Sequence, residues 1–147
     1  MKKIAFILFF VFFVIQGYSQ YVYYGYPTDT VALKKGSIVI LNIPSFSLNG
    51  GNRFVKPENF DNLVKLLETN DTNTLRIEVN SFWGLDSSVC EHLSSRLCDN
   101  IQEILESKTN LKNYYIVSNG SKNPISCKEK ENWVYIYKNS RIEIIVE

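Results

Sequence analysis

Three cysteines, one histidine and a few opposite charges are the residues here with the chemistry to make a site. Cys90, Cys98 and Cys127 make an odd number, so in an oxidising compartment at least one thiol stays outside any intramolecular bridge. If Cys90 and Cys98 share a helix they lie about 12 Å apart along its axis, beyond the ~7 Å Cα limit for a disulfide. A bridge then joins Cys127 to Cys90 or to Cys98; the alternative is three reduced thiols packed as small hydrophobes. His92 sits among Glu91, Ser94 and Ser95, but a zinc site or a relay triad needs partners at ligand spacing. The chain contains no C-x-x-C, H-E-x-x-H, G-x-S-x-G or glycine-rich phosphate loop. A helix-surface histidine, no catalytic residue, no metal and no cofactor are expected, and the chain reads as a non-enzyme. Asp86 and Arg96 read as solvated surface charges.

The elements that must position these residues begin after a leader. Met1-Lys2-Lys3 is a short basic start, Ile4 to Ile15 is unbroken apolar sequence, and Gly17-Tyr18-Ser19 puts small residues at the -3 and -1 positions of a cleavage site. Residues 1–19 are therefore expected to be a secretory signal peptide. The 147-residue chain has 16 Lys+Arg against 15 Asp+Glu, and taking away Lys2 and Lys3 leaves 14 against 15. A near-neutral chain without a basic stripe has no electrostatic footprint for nucleic acid or for an anionic membrane surface. Apart from the leader, no apolar run approaches the ~20 residues that span a bilayer. The remainder suits one small domain with a single two-layer core.

Residues 20–32 open with four tyrosines in six positions, Tyr21, Tyr23, Tyr24 and Tyr26, beside Gly25 and Pro27. They read as an extended arm, and the domain proper as 33–147. Ser37 to Ile43 is a β-branched apolar run that reads as a buried strand, and Leu48 to Asn52 as a loop. Pro57-Glu58 opens a helix carrying Phe60, Leu63, Val64 and Leu67, which stops at the polar Asn70-Asp71-Thr72-Asn73. Leu75, Ile77 and Val79 alternate with Arg76, Glu78 and Asn80 as a half-solvated strand. Val89, Leu93, Leu97, Ile101, Ile104 and Leu105 recur at helical spacing and predict the longest helix. Strands follow at Tyr114 to Val117, Trp133 to Tyr137 and Arg141 to Val146, the last two as a hairpin across Lys138-Asn139-Ser140. The expected fold class is α+β: a two-layer sandwich, a mixed β-sheet with two main helices on one face.

Several of these pieces, in this order, resemble the OmpA-like peptidoglycan-associating domains of Gram-negative envelopes, over about Leu33 to Glu147. Lys35 to Ile43 is similar to the family's "G-x-I-x-L-x-N-I" lead-in, and Val55-Lys56-Pro57-Glu58 to its "L-x-P" helix start. Ile77 to Ser81 falls where the family has its second strand and "G-H-T-D", and Leu93-Ser94-Ser95-Arg96 where it has "L-S-x-x-R-A". Ser118-Asn119-Gly120 to Asn123-Pro124 resembles the "G-x-G-x-x-x-P" turn, and Ser140 to Ile144 the closing "R-R-V-E-I".

In that family, an Asp ending "T-D" and an Arg fifteen positions later clamp the diaminopimelate side chain of the stem peptide. A zwitterion needs a carboxylate at one end and a guanidinium fork at the other. Laid ungapped on this chain, those positions are Phe82 and Leu97, and both charges are gone. The family's Asn falls at Cys90 and its small Ala at Cys98. The resemblance thus implies an exported envelope binding or scaffolding module, in the periplasm or at the outer membrane, whose clamp is replaced by apolar residues. Its partner would be peptidoglycan or an envelope protein. The other reading keeps peptidoglycan binding through Asn80, Asp86, Arg96 and Arg141 in shifted roles.

Overall fold

The computed structural model describes residues 21–27, 32–42, 48–49, 53–54, 57–82, 86–125, 136 and 138–147. Its main sheet is built from β1 (Val22–Tyr24), β2 (Ile38–Asn42), β5 (Leu75–Asn80), β6 (Tyr114–Gly120) and β7 (Arg141–Val146), in the order β1-β2-β7-β5-β6. A two-stranded ribbon, β3 (Leu48–Asn49) with β4 (Arg53–Phe54), stands where a loop was expected. Helix α1 spans Pro57–Thr69 and α2 spans Ser87–Lys108.

Alternation along the strands decides which face the helices cover. Val39 and Leu41 of β2, Leu75, Ile77 and Val79 of β5, and Ile142, Ile144 and Val146 of β7 are all buried. They pack against Phe60, Leu63 and Leu67 of α1 and Leu97, Ile101 and Leu105 of α2. Fully burying one such aliphatic side chain contributes about 1.5–3 kcal/mol, so this one cluster holds the two layers together. Arg76, Glu78, Glu143, Ile145 and Tyr115 point the other way. The α+β sandwich with a mixed sheet and two helices on one face is the fold observed.

Three expectations are corrected. The tyrosine arm, read as an extended segment ahead of 33–147, is a strand of the main sheet: β1 pairs parallel with β2, Val22 opposite Ile38 and Tyr24 opposite Ile40, while Tyr23 and Tyr26 pack against the core. Burial pushes the Tyr26 phenol well above its ordinary value. The chain returns from β1 to β2 past Leu33, whose N–H donates to Asn70 Oδ1 at 2.6 Å. Second, Ile136 is helical rather than extended, as are Lys138 and Asn139 of the expected turn, and the Ser140 N–H closes a turn on the Ile136 carbonyl at 2.8 Å. The physical reason is that β7 has no edge for a hairpin partner, since β2 takes one side antiparallel and β5 the other. Residues 133–135 and 137 of that expected strand lie outside the described residues. Third, the inward face of α2 runs through Cys90, Ser94, Leu97, Ile101 and Leu105, while Val89 is exposed.

Strand polarity sorts the sheet into two ends. Val22, Ile38, Leu75, Tyr114 and Ile145 share one end, and Tyr24, Asn42, Asn80, Gly120 and Arg141 share the other.

Candidate functional site

The second end, where β5 and β6 finish and β7 and α2 begin, gathers most of the residues singled out from the sequence. The register sets Asn42 opposite Arg141 and Arg141 opposite Asn80. A bulge after Val79 brings Gly120 rather than Asn119 opposite Asn80, and Asn119 Nδ2 donates to Asn80 Oδ1 at 3.3 Å and to Glu78 Oε2 at 2.9 Å. A polar row thus crosses four strands.

Arg141 is buried. Its Nε donates to Glu143 Oε1 at 2.5 Å, and its two terminal nitrogens donate to the Asn139 carbonyl at 3.1 Å and the Asn123 carbonyl at 3.0 Å. This guanidinium is held by its own domain. Asn80 and Ser81 are equally buried, and Asn80 Nδ2 and Ser81 Oγ have no hydrogen-bond partner among the described residues. Buried polar groups are normally paired; the end of β5 holds two of the four such atoms without a partner among the described residues, the others being Ser37 Oγ and Arg76 Nε at the opposite end of the sheet.

Phe82 and Leu97, the two positions where the resemblance predicts a clamp, are 5% and 3% exposed. Leu97 belongs to the core cluster, and the Phe82 N–H donates to Ser140 Oγ at 3.0 Å. Neither position presents a charge or an open apolar surface. The two remaining candidates do not join them. Asp86 is the N-cap of α2, its Oδ1 accepting the Ser88 N–H at 2.8 Å. That bond holds the Asp86 carboxyl below its ordinary value, as an N-cap should. Arg96 lies on a half-buried flank of α2, and its carbonyl accepts from Asn100 Nδ2 at 2.9 Å. Ten residues separate Asp86 from Arg96, about 15 Å along the helix, and the structure does not bring them together.

Small polar residues close the seam between α2 and β6. Ser94 Oγ meets Ser118 Oγ at 2.5 Å and accepts the Gly120 N–H at 3.0 Å. Cys90 and Cys98 stand four residues to either side of Ser94 on this stripe, hydrogen-bonded to Ser121 and Ser118. The one available signal was the spacing Cys90, Ser94, Cys98, which continues the buried stripe with small residues.

Cys127, the expected bridge partner of Cys90 or Cys98, lies outside the described residues. Burial pushes the Cys98 thiol up to about 11, with Asp99 adding to it, and burial likewise raises Cys90. Raised thiols are poor nucleophiles at neutral pH. His92 is exposed. Among the described residues no group of three or more His, Cys, Asp or Glu is placed to hold a metal ion, and no helix is long and apolar enough to cross a membrane.

A mixed sheet with both helices on one face, and β7 inserted between β2 and β5, is the fold of OmpA-like domains, as the sequence resemblance implies. No family model matches the sequence, and no curated protein matches it. Solved structures do. The periplasmic domain of Helicobacter pylori MotB matches with a TM-score of 0.57 at 18% identity, over 75% of this chain and 74% of that one. The cell wall anchor of the T6SS from Pseudomonas aeruginosa matches at 0.57 and 10% identity, over 75% and 81%. The peptidoglycan-associated lipoprotein from Burkholderia pseudomallei matches at 0.54 and 12% identity, over 69% and 87%.

Proposed function

We propose that this protein is an exported cell-envelope binding or scaffolding module that works without the diaminopimelate clamp. The observation that carries this reading is the burial of Phe82 and Leu97 where the clamp charges would stand. A charged ligand at those positions would have to displace two packed side chains and would meet no opposite charge there. The leader-like start at Met1 to Ser19 supports export, and the structural neighbours support an envelope setting, with peptidoglycan or an envelope protein as partner. We assign a binding rather than an enzymatic role, which the MotB periplasmic domain, the cell wall anchor and the peptidoglycan-associated lipoprotein among the structural neighbours support.

The second reading, a peptidoglycan binder with a shifted site, is favoured by one observation: the unpartnered Asn80 Nδ2 and Ser81 Oγ beside the buried Arg141. Co-sedimentation of the purified protein with peptidoglycan sacculi separates the two. The clamp-free reading expects Arg96→Ala to leave the retention of the wild type unchanged, and a Phe82→Asp, Leu97→Arg protein to be retained more strongly if the surrounding scaffold is intact. Wild-type retention that disappears in Arg96→Ala would overturn it in favour of the shifted site.

A further inference from the structure

β6 ends on Asn119-Gly120, and an Asn-Gly pair is the dipeptide most prone to losing its side-chain amide. The main-chain nitrogen of the following residue attacks the Asn Cγ to close a succinimide ring, and glycine, with no side chain, hinders that attack least. The fold nonetheless requires both residues. Gly120 has φ +54, and a Cβ built there would stand 2.7 Å from Glu91 Cγ and 3.2 Å from Glu91 Cα, so glycine is what lets β6 come this close to α2. Asn119 Nδ2 ties the strand to Glu78 Oε2 and Asn80 Oδ1 on β5.

The two reacting groups are held apart. The Gly120 N–H, which must lose its proton before the nitrogen can attack, donates to Ser94 Oγ at 3.0 Å. Ser94 is fully buried on α2, and its hydroxyl is fixed in turn by the Glu91 carbonyl at 3.2 Å and by Ser118 Oγ at 2.5 Å. The Asn119 amide instead reaches Glu78, on the face of β5 turned away from the helices. Nucleophile and target are thus engaged on opposite sides of the sheet.

We propose that Asn119-Gly120 is a latent deamidation site and that Ser94 keeps it shut. When α2 parts from β6, the Gly120 nitrogen gives up its proton and bonds to Asn119 Cγ; the Cγ–Nδ2 bond breaks, and the amide nitrogen leaves as ammonia. Water then adds to either carbonyl of the ring and opens it to aspartate or isoaspartate. No oxidant, reductant or cofactor enters. Aspartate sets a carboxylate against Glu78 Oε2 where the amide donor stood, and isoaspartate lengthens the β6 main chain by a methylene. Either product breaks the tie from β6 to β5, and the change is irreversible. A chain closed at this seam is protected, and a chain held open there is marked.

The test is peptide mapping by mass spectrometry of the full chain after incubation at mildly alkaline pH. Asn49-Gly50, the other Asn-Gly pair of the sequence, is the reference within each sample. Ser94→Ala is expected to speed conversion at Asn119 about tenfold, the effect of losing one buried hydrogen-bond partner, and to leave conversion at Asn49 unchanged. Two controls are expected to stay near the wild-type rate: Ser118→Ala, which leaves the Ser94 acceptor on the Gly120 N–H, and Ile101→Val, which loosens α2 in the core instead. Wild-type conversion at Asn119 as fast as in the urea-unfolded chain would overturn the proposal. So would equal acceleration in Ser94→Ala and Ile101→Val, or no acceleration in Ser94→Ala.

Discussion

Glu143→Gln measures what the buried guanidinium of Arg141 requires of its neighbours. The Arg141 side chain is 5% exposed, and Glu143 is the carboxylate within salt-bridge distance among the described residues. Removing one partner of a buried pair costs about 3–5 kcal/mol. Two features reduce that figure. The Asn139 and Asn123 carbonyls still hold the terminal nitrogens. Glu143 also stands directly opposite Glu78 across β7 and β5, so its loss relieves a like-charge pair worth about 0.2–1 kcal/mol. The net expectation is a destabilisation of about 2–3 kcal/mol, or about 10 °C in Tm for a domain of this size. Urea unfolding at neutral pH, followed by circular dichroism, reads it directly. Glu78→Gln is the control, since it relieves the same repulsion but leaves Arg141 paired. It gives up the Asn119 contact and a half-exposed contact with Arg76 at 3.4 Å. Equal effects from the two substitutions would refute the idea that Glu143 compensates a buried charge.

Two further outcomes follow from single contacts. Because the Ser88 N–H depresses the Asp86 carboxyl below its usual 3.8, its contribution is present above that unfolded-state value and is lost as pH falls through the lower folded value. Urea midpoints should therefore decline on acidification, and Asp86→Asn, which caps without titrating, should flatten that part of the profile; an unchanged pH slope would count against the cap. Gly120 has φ +54 and faces the Glu91 backbone at 3.2 Å from a built Cβ, so Gly120→Ala should cost about 1–3 kcal/mol in the same assay, and a neutral result would show that α2 can move off β6.

The legible parts of this fold were those set by local periodicity. Leu97, Ile101 and Leu105 fixed the core side of α2, and alternation through Leu75, Ile77 and Val79 fixed that of β5. Pairing partners were not legible, because nothing local in Arg141 to Val146 says that β2 and β5 will claim both its edges. That non-local fact is also why the strand-like Trp133 to Tyr137 run was misread at Ile136. The start of α2 slipped by one position because Val89 is apolar and Ser94 is not, whereas Ser94 is inside, satisfied by Ser118 and Gly120. At the site, Phe82 and Leu97 were visible as apolar residues at the two positions where the resemblance implies charges. The burial of Arg141 and the capping duty of Asp86 were not, since an arginine or an aspartate looks the same in sequence whether it is held or open.

The parallel placement of β1 beside β2 has a mechanical meaning. Tyr21 stands at the end of the sheet opposite Asn80, Gly120 and Arg141, about 17 Å away along β5 at ~3.3 Å per residue. A pull applied at Tyr21, resisted by anything held at the far end, runs along the strand axis. The bonds that fasten β1, including the Ile38 N–H to the Tyr21 carbonyl at 2.8 Å and the Gly25 N–H to the Ile40 carbonyl at 2.9 Å, are then loaded together in shear instead of being peeled one after another. The tyrosines at Tyr23 and Tyr26 anchor that short strand in the core, so the arm resists as a clasp.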